Sequence, residues 1–224
     1  MCNLYSNTTA VAAMRQLFDV SPERDRTGNA EPLASIFPKG QAPVVRLDQD
    51  GMRELVALSW GFRTTNTSKK TGALISPQAW NNARDDNLQS GLWRASFEQR
   101  RCLIPVSSYC ETKGRNPAHY YWFGIKGDTP RSPFACAGMW QRSRYQTKDG
   151  PEECETFTMI TTQANDLVRP YHAKGRMPVL LDAGDHEAYV NGTTDTAQRL
   201  LRSYPSDLMR IVQDGIGVKS DPLT

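Results

Sequence analysis

Cys2 has the most distinctive chemistry to offer in this chain. Its side chain is small enough for methionine aminopeptidase to be expected to remove Met1, leaving an amine and a thiol two carbons apart. An α-amine titrates near ~7.7–8.0, so a usable fraction is neutral at physiological pH. The thiolate, with an ordinary pKa of about 8.5, is the stronger nucleophile of the two. Together they can trap an aldehyde twice. The amine condenses to an imine with loss of water, and sulfur then closes a five-membered thiazolidine. A lysine or an internal cysteine can take only one of those steps. The competing reading is an incidental second residue on a frayed terminus.

Three further groups could take part in such chemistry. His172 lies between Arg169-Pro170 and Arg176-Met177-Pro178, where a loop imidazole can act as acid or base near neutral pH or simply be a surface histidine. Glu111 ends an apolar run over residues 103–110. A carboxylate at the end of a buried strand has reason to titrate high, which suits acid–base work, unless it is an ordinary strand-end charge. Asn82 and Arg84 point the same way if their segment is extended. An amide and a guanidinium on one face can hold a sugar and a phosphate; a capped turn is the alternative. His119 reads as structural, and His186 as an exposed residue without a role.

The elements that must position these groups follow from composition and periodicity. The 224 residues carry Lys+Arg 27 against Asp+Glu 24. So mild a balance does not by itself indicate a nucleic-acid protein, although a local basic patch fits inside it. No apolar run approaches the ~20 residues that span a bilayer, and the start lacks the basic and apolar regions of a signal peptide. A cytosolic protein is expected. The cysteines number five and contain no Cys-x-x-Cys pair, so neither a disulfide framework nor a structural zinc is expected. Cys102, Cys110, Cys136 and Cys154 are then reduced and mostly buried. Helical spacing predicts helices over 8–18 and 92–101, with shorter ones over 163–169, 185–190 and 194–203. Strands are predicted over 43–47, 53–61, 102–109, 118–125, 133–140, 156–162 and 176–182, with one more in the tail. Residues 19–42 and 62–90 read as loops, the second long enough to suggest function. Strands in runs with helices at the ends give an α+β fold with a largely antiparallel sheet, in one domain over 1–224.

The order of the motifs is more specific than any one of them. An N-terminal Met-Cys, then Trp60-Gly61, Asn82-Ala83-Arg84, Arg101-Cys102 with Glu111 ten residues after the arginine, and His172 ahead of Arg176-Met177-Pro178 together resemble the SOS response-associated peptidase (SRAP) family. The resemblance covers roughly residues 2–218 and implies a curved, largely antiparallel β-sheet or barrel core with flanking α-helices. It implies an enzyme that processes abasic sites in single-stranded DNA, crosslinking to the ring-opened sugar through Cys2 and shielding the lesion from strand cleavage. It implies Asn82, Glu111 and His172 as partners of Cys2 in catalysis: Asn82 positions the sugar or the N-terminus, Glu111 is the acid/base, and His172 promotes ring opening. It also implies Arg84, Arg176, Lys174 and Trp60 as DNA contacts. Arg63, Lys69, Lys70, Arg142, Arg144 and Arg169 are further basic candidates, and Trp80 and Trp93 further stacking surfaces. No metal or organic cofactor is implied, and the protein is expected to act as a monomer without a membrane. The family's name points to a peptidase step, such as removal of Met1 or self-release. The chain departs from the commoner pattern in several places. Asn3-Leu4 replaces a Gly-Arg pair, Thr112 stands where many members have Trp, and a His-x-Arg spacing is stretched to His172-Ala173-Lys174-Gly175-Arg176. Two readings of other classes stand beside this one: a cysteine hydrolase using Cys2 with His172 and Glu111, and a non-catalytic single-strand-binding module.

Overall fold

A computed structural model describes residues 2–221. In chain order its elements are β1 (Tyr5–Asn7), α1 (Val11–Phe18), β2 (Leu33–Ile36), β3 (Gln41–Leu47) and β4 (Arg53–Trp60). Next come β5 (Phe62–Thr67), β6 (Leu74–Trp80), β7 (Asn82–Arg84), α2 (Arg94–Gln99), β8 (Arg101–Val106) and β9 (Ser108–Lys113). The chain continues with β10 (His119–Ile125), β11 (Phe134–Thr147), β12 (Gly150–Gln163), β13 (Arg176–Pro178) and β14 (Leu180–Leu181). It ends in α3 (His186–Val190), α4 (Thr194–Arg199) and β15 (Met209–Ile216). The fold is α+β and mostly antiparallel, as the sequence predicts.

Strands β12, β4, β3, β8 and β11 pair in that order, and β11 pairs back onto β12, so the sheet closes into a barrel. Period-two alternation explains why these strands form it. On β8, Cys102, Ile104 and Val106 join the core inside the barrel, while Leu103 joins a second core outside it. On β11, Phe134 and Cys136 face inward, and Ala135, Ala137 and Met139 face outward. The outer core is covered by α1 through Met14 and Phe18, by α2 through Phe97 and by α3 through Tyr189. Buried Arg101 ties these covers to β8, donating to the carbonyls of Phe97 (2.8 Å) and Tyr189 (2.6 Å). A second sheet, in the order β15-β10-β9-β1-β2, contributes Tyr5, Tyr109 and Phe123 to the inner core. It carries both Cys2, just ahead of β1, and Glu111, on β9.

Several elements differ from those predicted. Residues 62–90 are not a loop: β5 and β6 form a two-stranded ribbon and β7 follows it. The ribbon's polar Thr, Ser and Asn residues are largely exposed, so it lacks the buried apolar face that marks a strand in a sequence. Residues 19–42 contain β2. The predicted strand over 102–109 is two strands, β8 and β9, divided at Ser107. The helix predicted over 163–169 is a turn, closed by the Arg169 N–H on the Asn165 carbonyl (2.9 Å). His186 is buried, stacked on Phe18 at 5.4 Å. Among the described residues no helix is long and apolar enough to cross a membrane.

Candidate functional site

Pairing of β1 with β9 brings the N-terminus beside Glu111. Tyr5 lies opposite Tyr109 and Ser6 opposite Ser108, and the Cys110 N–H donates to the Leu4 carbonyl at 2.9 Å. Cys2 is not frayed: it is only 1% exposed and packs in the inner core. Two side-chain amides fix its carbonyl, Asn82 Nδ2 donating at 2.7 Å and Asn81 Nδ2 at 3.0 Å. Asn81 also reaches Asn3 Oδ1 at 2.9 Å. Asn82 was predicted from its motif, whereas Asn81 was not; its only sequence signal is that it precedes Asn82.

The two asparagines are held from behind. Strand β7 runs parallel to β12, with Asn82 beside Met159. Trp60 Nε1 donates to the Asn81 carbonyl at 2.9 Å. Trp60 itself is 0% exposed, edge-on to Tyr5 and stacked with Phe157. The expectation that it stacks on DNA is therefore corrected: its ring has no free face, because so large an apolar surface gains most by burial. Gly61 follows at φ +106°, a conformation that favours glycine, where a Cβ would meet Ala79 and Arg63 at 3.2 Å. This explains the Trp-Gly pair.

Opposite Cys2, Glu111 and His172 face each other, Oε2 and Nε2 being 3.8 Å apart and both side chains buried. Burial pushes the Glu111 carboxyl up to about 8, so at neutral pH it is mostly protonated. Burial, reinforced by the charges of Arg176 and Lys174, lowers His172 to about 4, which leaves it neutral. Its tautomer is also set. The backbone N–H groups of Lys174 and Arg176 both donate to Nδ1 at 3.1 Å, so that nitrogen is an acceptor and the proton resides on Nε2. The stretched spacing supplies this arrangement, since residues 173–175 wrap the imidazole in a turn closed by the Gly175 N–H on the His172 carbonyl (2.9 Å). Burial, together with the nearby Glu111, raises the Cys2 thiol well above its ordinary value; the thiol donates to the Leu4 carbonyl at 3.4 Å. Asn82 Oδ1 and Glu111 Oε1 are buried without a hydrogen-bond partner among the described residues.

The predicted basic contacts divide. Lys174 is exposed. Arg84 is exposed but engaged by Asp86, Nε to Oδ1 at 2.8 Å. Arg176 is buried and committed to Asp85 (2.6 Å) and the Thr161 carbonyl. It joins β13 to the segment after β7, which corrects its assignment as a phosphate contact. Arg63 is buried on the Gly61 carbonyl and the Ser59 hydroxyl, and Arg142 and Arg144 pair with Glu153. Trp93 is buried, whereas Trp80, two residues before Asn82, is 43% exposed. A separate cleft of about 670 Å³ is lined by Arg24, Arg46, Glu54, Trp140 and Glu155 among others. Its Arg24 and Arg46 are already paired with carboxylates. Among the described residues no group of three His, Cys, Asp or Glu side chains could hold a metal ion.

Comparison with known proteins gives the lineage. Solved structures with this fold include a protein from Bordetella bronchiseptica, 24% identical with TM-score 0.71, covering 96% of this chain and 99% of its own. A protein from Bacteroides thetaiotaomicron is 21% identical with TM-score 0.69, covering 96% of this chain and 91% of its own. A phage-related protein from Bordetella bronchiseptica is 18% identical with TM-score 0.67, covering 96% of this chain and 93% of its own. No curated protein sequence matches. The family model described as SOS response associated peptidase (SRAP) matches residues 1–217, so the chain belongs to the SRAP family, with its theme of DNA damage.

Proposed function

We propose that the protein captures abasic sites in single-stranded DNA as a covalent thiazolidine on Cys2. The observation that carries this reading is the treatment of the N-terminus: Asn81 and Asn82 clamp the Cys2 carbonyl, and the Cys2 thiol is buried beside a high-titrating Glu111. The reading requires Met1, which lies outside the described residues, to be removed.

The resting protonation states suit aldehyde condensation. The His172 Nε2–H is a neutral donor that can polarise the hemiacetal oxygen as the sugar ring opens. The Cys2 amine adds to the aldehyde carbon to give a carbinolamine. Protonated Glu111 gives its proton to the carbinolamine hydroxyl, which leaves as water, and an iminium remains. Glu111, now a carboxylate, takes the thiol proton as Sγ attacks the iminium carbon, and the ring closes. One water is released overall. The aldehyde carbon is then tied up, so the imine-driven β-elimination that breaks the strand is suppressed. Lys174, Arg84 and Trp80 are exposed groups that can meet the DNA backbone and bases.

The cysteine-hydrolase reading needs a thiolate activated by an adjacent imidazole. Here the thiol donates to a backbone carbonyl and His172 Nδ1 is occupied by two N–H groups, which favours the crosslinking reading. The test is a denaturing gel of protein mixed with a labelled single strand carrying one abasic site, beside Cys2→Ala and an undamaged strand. A heat-stable shifted band from the wild type alone is expected. Its absence, with Met1 shown by mass spectrometry to be gone, overturns the proposal.

A further inference from the structure

Strand β10 faces the reactive carboxylate with aromatic rings that the scheme above does not use. In the β9–β10 pairing Glu111 lies opposite Tyr121 and Lys113 opposite His119, and residues directly opposite each other share one face of a sheet. Tyr121 and His119 therefore continue outward along the face that carries Glu111. Their rings are stacked, with centroids 4.4 Å apart and planes 19° off parallel. Tyr171, which immediately precedes His172, packs on Tyr121 at 4.2 Å. The row begins in the core, where Phe123 and Tyr109 are fully buried, and reaches solvent with Tyr171, Tyr121 and His119 half-buried.

Charge accompanies the rings. Lys113 Nζ lies 6.0 Å from the centre of the Tyr171 ring. Lys113 and Lys174 are both exposed, and neither has an ion-pair partner among the described residues. At the outer end, Asp214 binds His119 Nε2 at 2.8 Å and places a negative charge where a further phosphate would have to pass. Aromatic pairs across strands are common surface packing. This one differs in its setting: it starts beside the Glu111–His172 pair, stays partly open and is flanked by unpaired lysines.

The geometry points to a shelf formed by Tyr171, Tyr121 and His119, with Lys113 at its edge, that stacks the base of one nucleotide adjoining the abasic sugar. This rests on the proposed crosslinking function and gives that site a flanking-base requirement on one side only. Stacking supplies affinity without reading sequence, because every base has a π-face. It is also independent of position 112, where this chain has Thr.

The test uses single strands with one reactive abasic site. In two of them the neighbour on the 5′ or the 3′ side is a tetrahydrofuran spacer, which lacks a base and cannot form an aldehyde. For the wild type, one of the two spacers should raise the half-saturating DNA concentration for crosslinking about ten-fold, which is about 1.4 kcal/mol and within the range of one stacked base. In Tyr171→Ala and His119→Ala the same spacer should have no further effect, while Tyr171→Phe should behave as the wild type. A wild type indifferent to both spacers overturns the shelf and leaves the crosslinking function standing. So does a Tyr171→Ala protein that still loses ten-fold to the spacer. A wild type that crosslinks no abasic strand overturns both. The wild-type comparison needs no substitution, so misfolding of a variant cannot hide the answer.

Discussion

Replacing Glu111 by Gln should stabilise the protein above pH 6.5 and remove one limb of its pH–stability curve. In the folded protein the Glu111 carboxyl titrates at about 8, whereas an unfolded chain would release that proton near its ordinary value of 4.5. The native state therefore binds more protons than the unfolded one between these values. Its contribution is complete below 4.5 and is lost as the pH rises through 8. His172 works in the opposite sense. Held neutral down to about 4, against an ordinary 6.5, it destabilises only below 6.5. Between 4.5 and 6.5 the two slopes oppose each other, and above 6.5 only that of Glu111 remains. At 1.36 kcal/mol per pH unit, the wild type should lose about 2 kcal/mol between pH 6.5 and 8 that Glu111→Gln does not lose. Urea unfolding followed by tryptophan fluorescence measures this, with the difference curve of the two proteins cancelling every other titration. A difference that stays flat from pH 6.5 to 8 would mean that Glu111 is already ionised in the native state, and the acid step assigned to it would fall. With the step intact, wild-type crosslinking should decline above about pH 8, where the acid form of Glu111 disappears.

The other perturbations separate chemistry from support. Cys2→Ser keeps the amine and loses the thiol, so a denaturing gel should show a labile adduct and increased strand cleavage in place of a heat-stable band. Asn81→Ala combined with Asn82→Ala removes both donors to the Cys2 carbonyl. It should slow crosslinking by on the order of ten-fold or more at saturating DNA, since each lost hydrogen bond is worth about 1 kcal/mol. Trp60→Ala should destabilise by about 3–5 kcal/mol in urea because the ring is fully buried. Trp80→Ala should leave the unfolding midpoint within error and weaken binding to undamaged single strands in fluorescence anisotropy.

The sequence was most informative where burial is two-sided. β8 reads as an unbroken apolar run because its alternate residues feed two cores, and β12 likewise divides Phe157 and Met159 from Ile160. It was least informative where neither face is buried, as in the β5–β6 ribbon, or where one polar residue marks a break. Ser107 is such a residue, its hydroxyl accepting the Thr8 N–H at 2.9 Å. Cys2, Asn82, Glu111 and His172, which the structure brings together, stood out in the sequence because their types carry chemistry. Trp60 and Arg176 were expected as DNA contacts, and Asn81 was given no role, because their packing depends on partners distant in sequence. Trp60 became a buried prop for Asn81, and Arg176 a buried partner of Asp85. Position along the chain says nothing about which of two tryptophans or arginines will find the core.

Under the proposed crosslinking function, the same partners would favour condensation over hydrolysis. A cysteine hydrolase separates charge before its substrate arrives, with a thiolate and an imidazolium held in contact. Here every group is kept neutral instead: the thiol and the Glu111 carboxyl by burial, the imidazole by burial and by two N–H groups on Nδ1. In the proposed sequence a neutral carboxylic acid and a neutral thiol would be the proton donors for iminium formation and ring closure in turn, and Glu111 would end it protonated as it began. The extra residues between His172 and Arg176 help to keep the imidazole neutral, because their turn brings the Lys174 and Arg176 N–H groups onto one nitrogen. Shortening that segment by deleting Ala173 and Lys174 would release Nδ1 and let the ring protonate. The His172 titration, followed by NMR of the ring protons, should then move up from about 4 toward 6.5. A titration that stays near 4 after the deletion would show that burial alone holds the imidazole neutral.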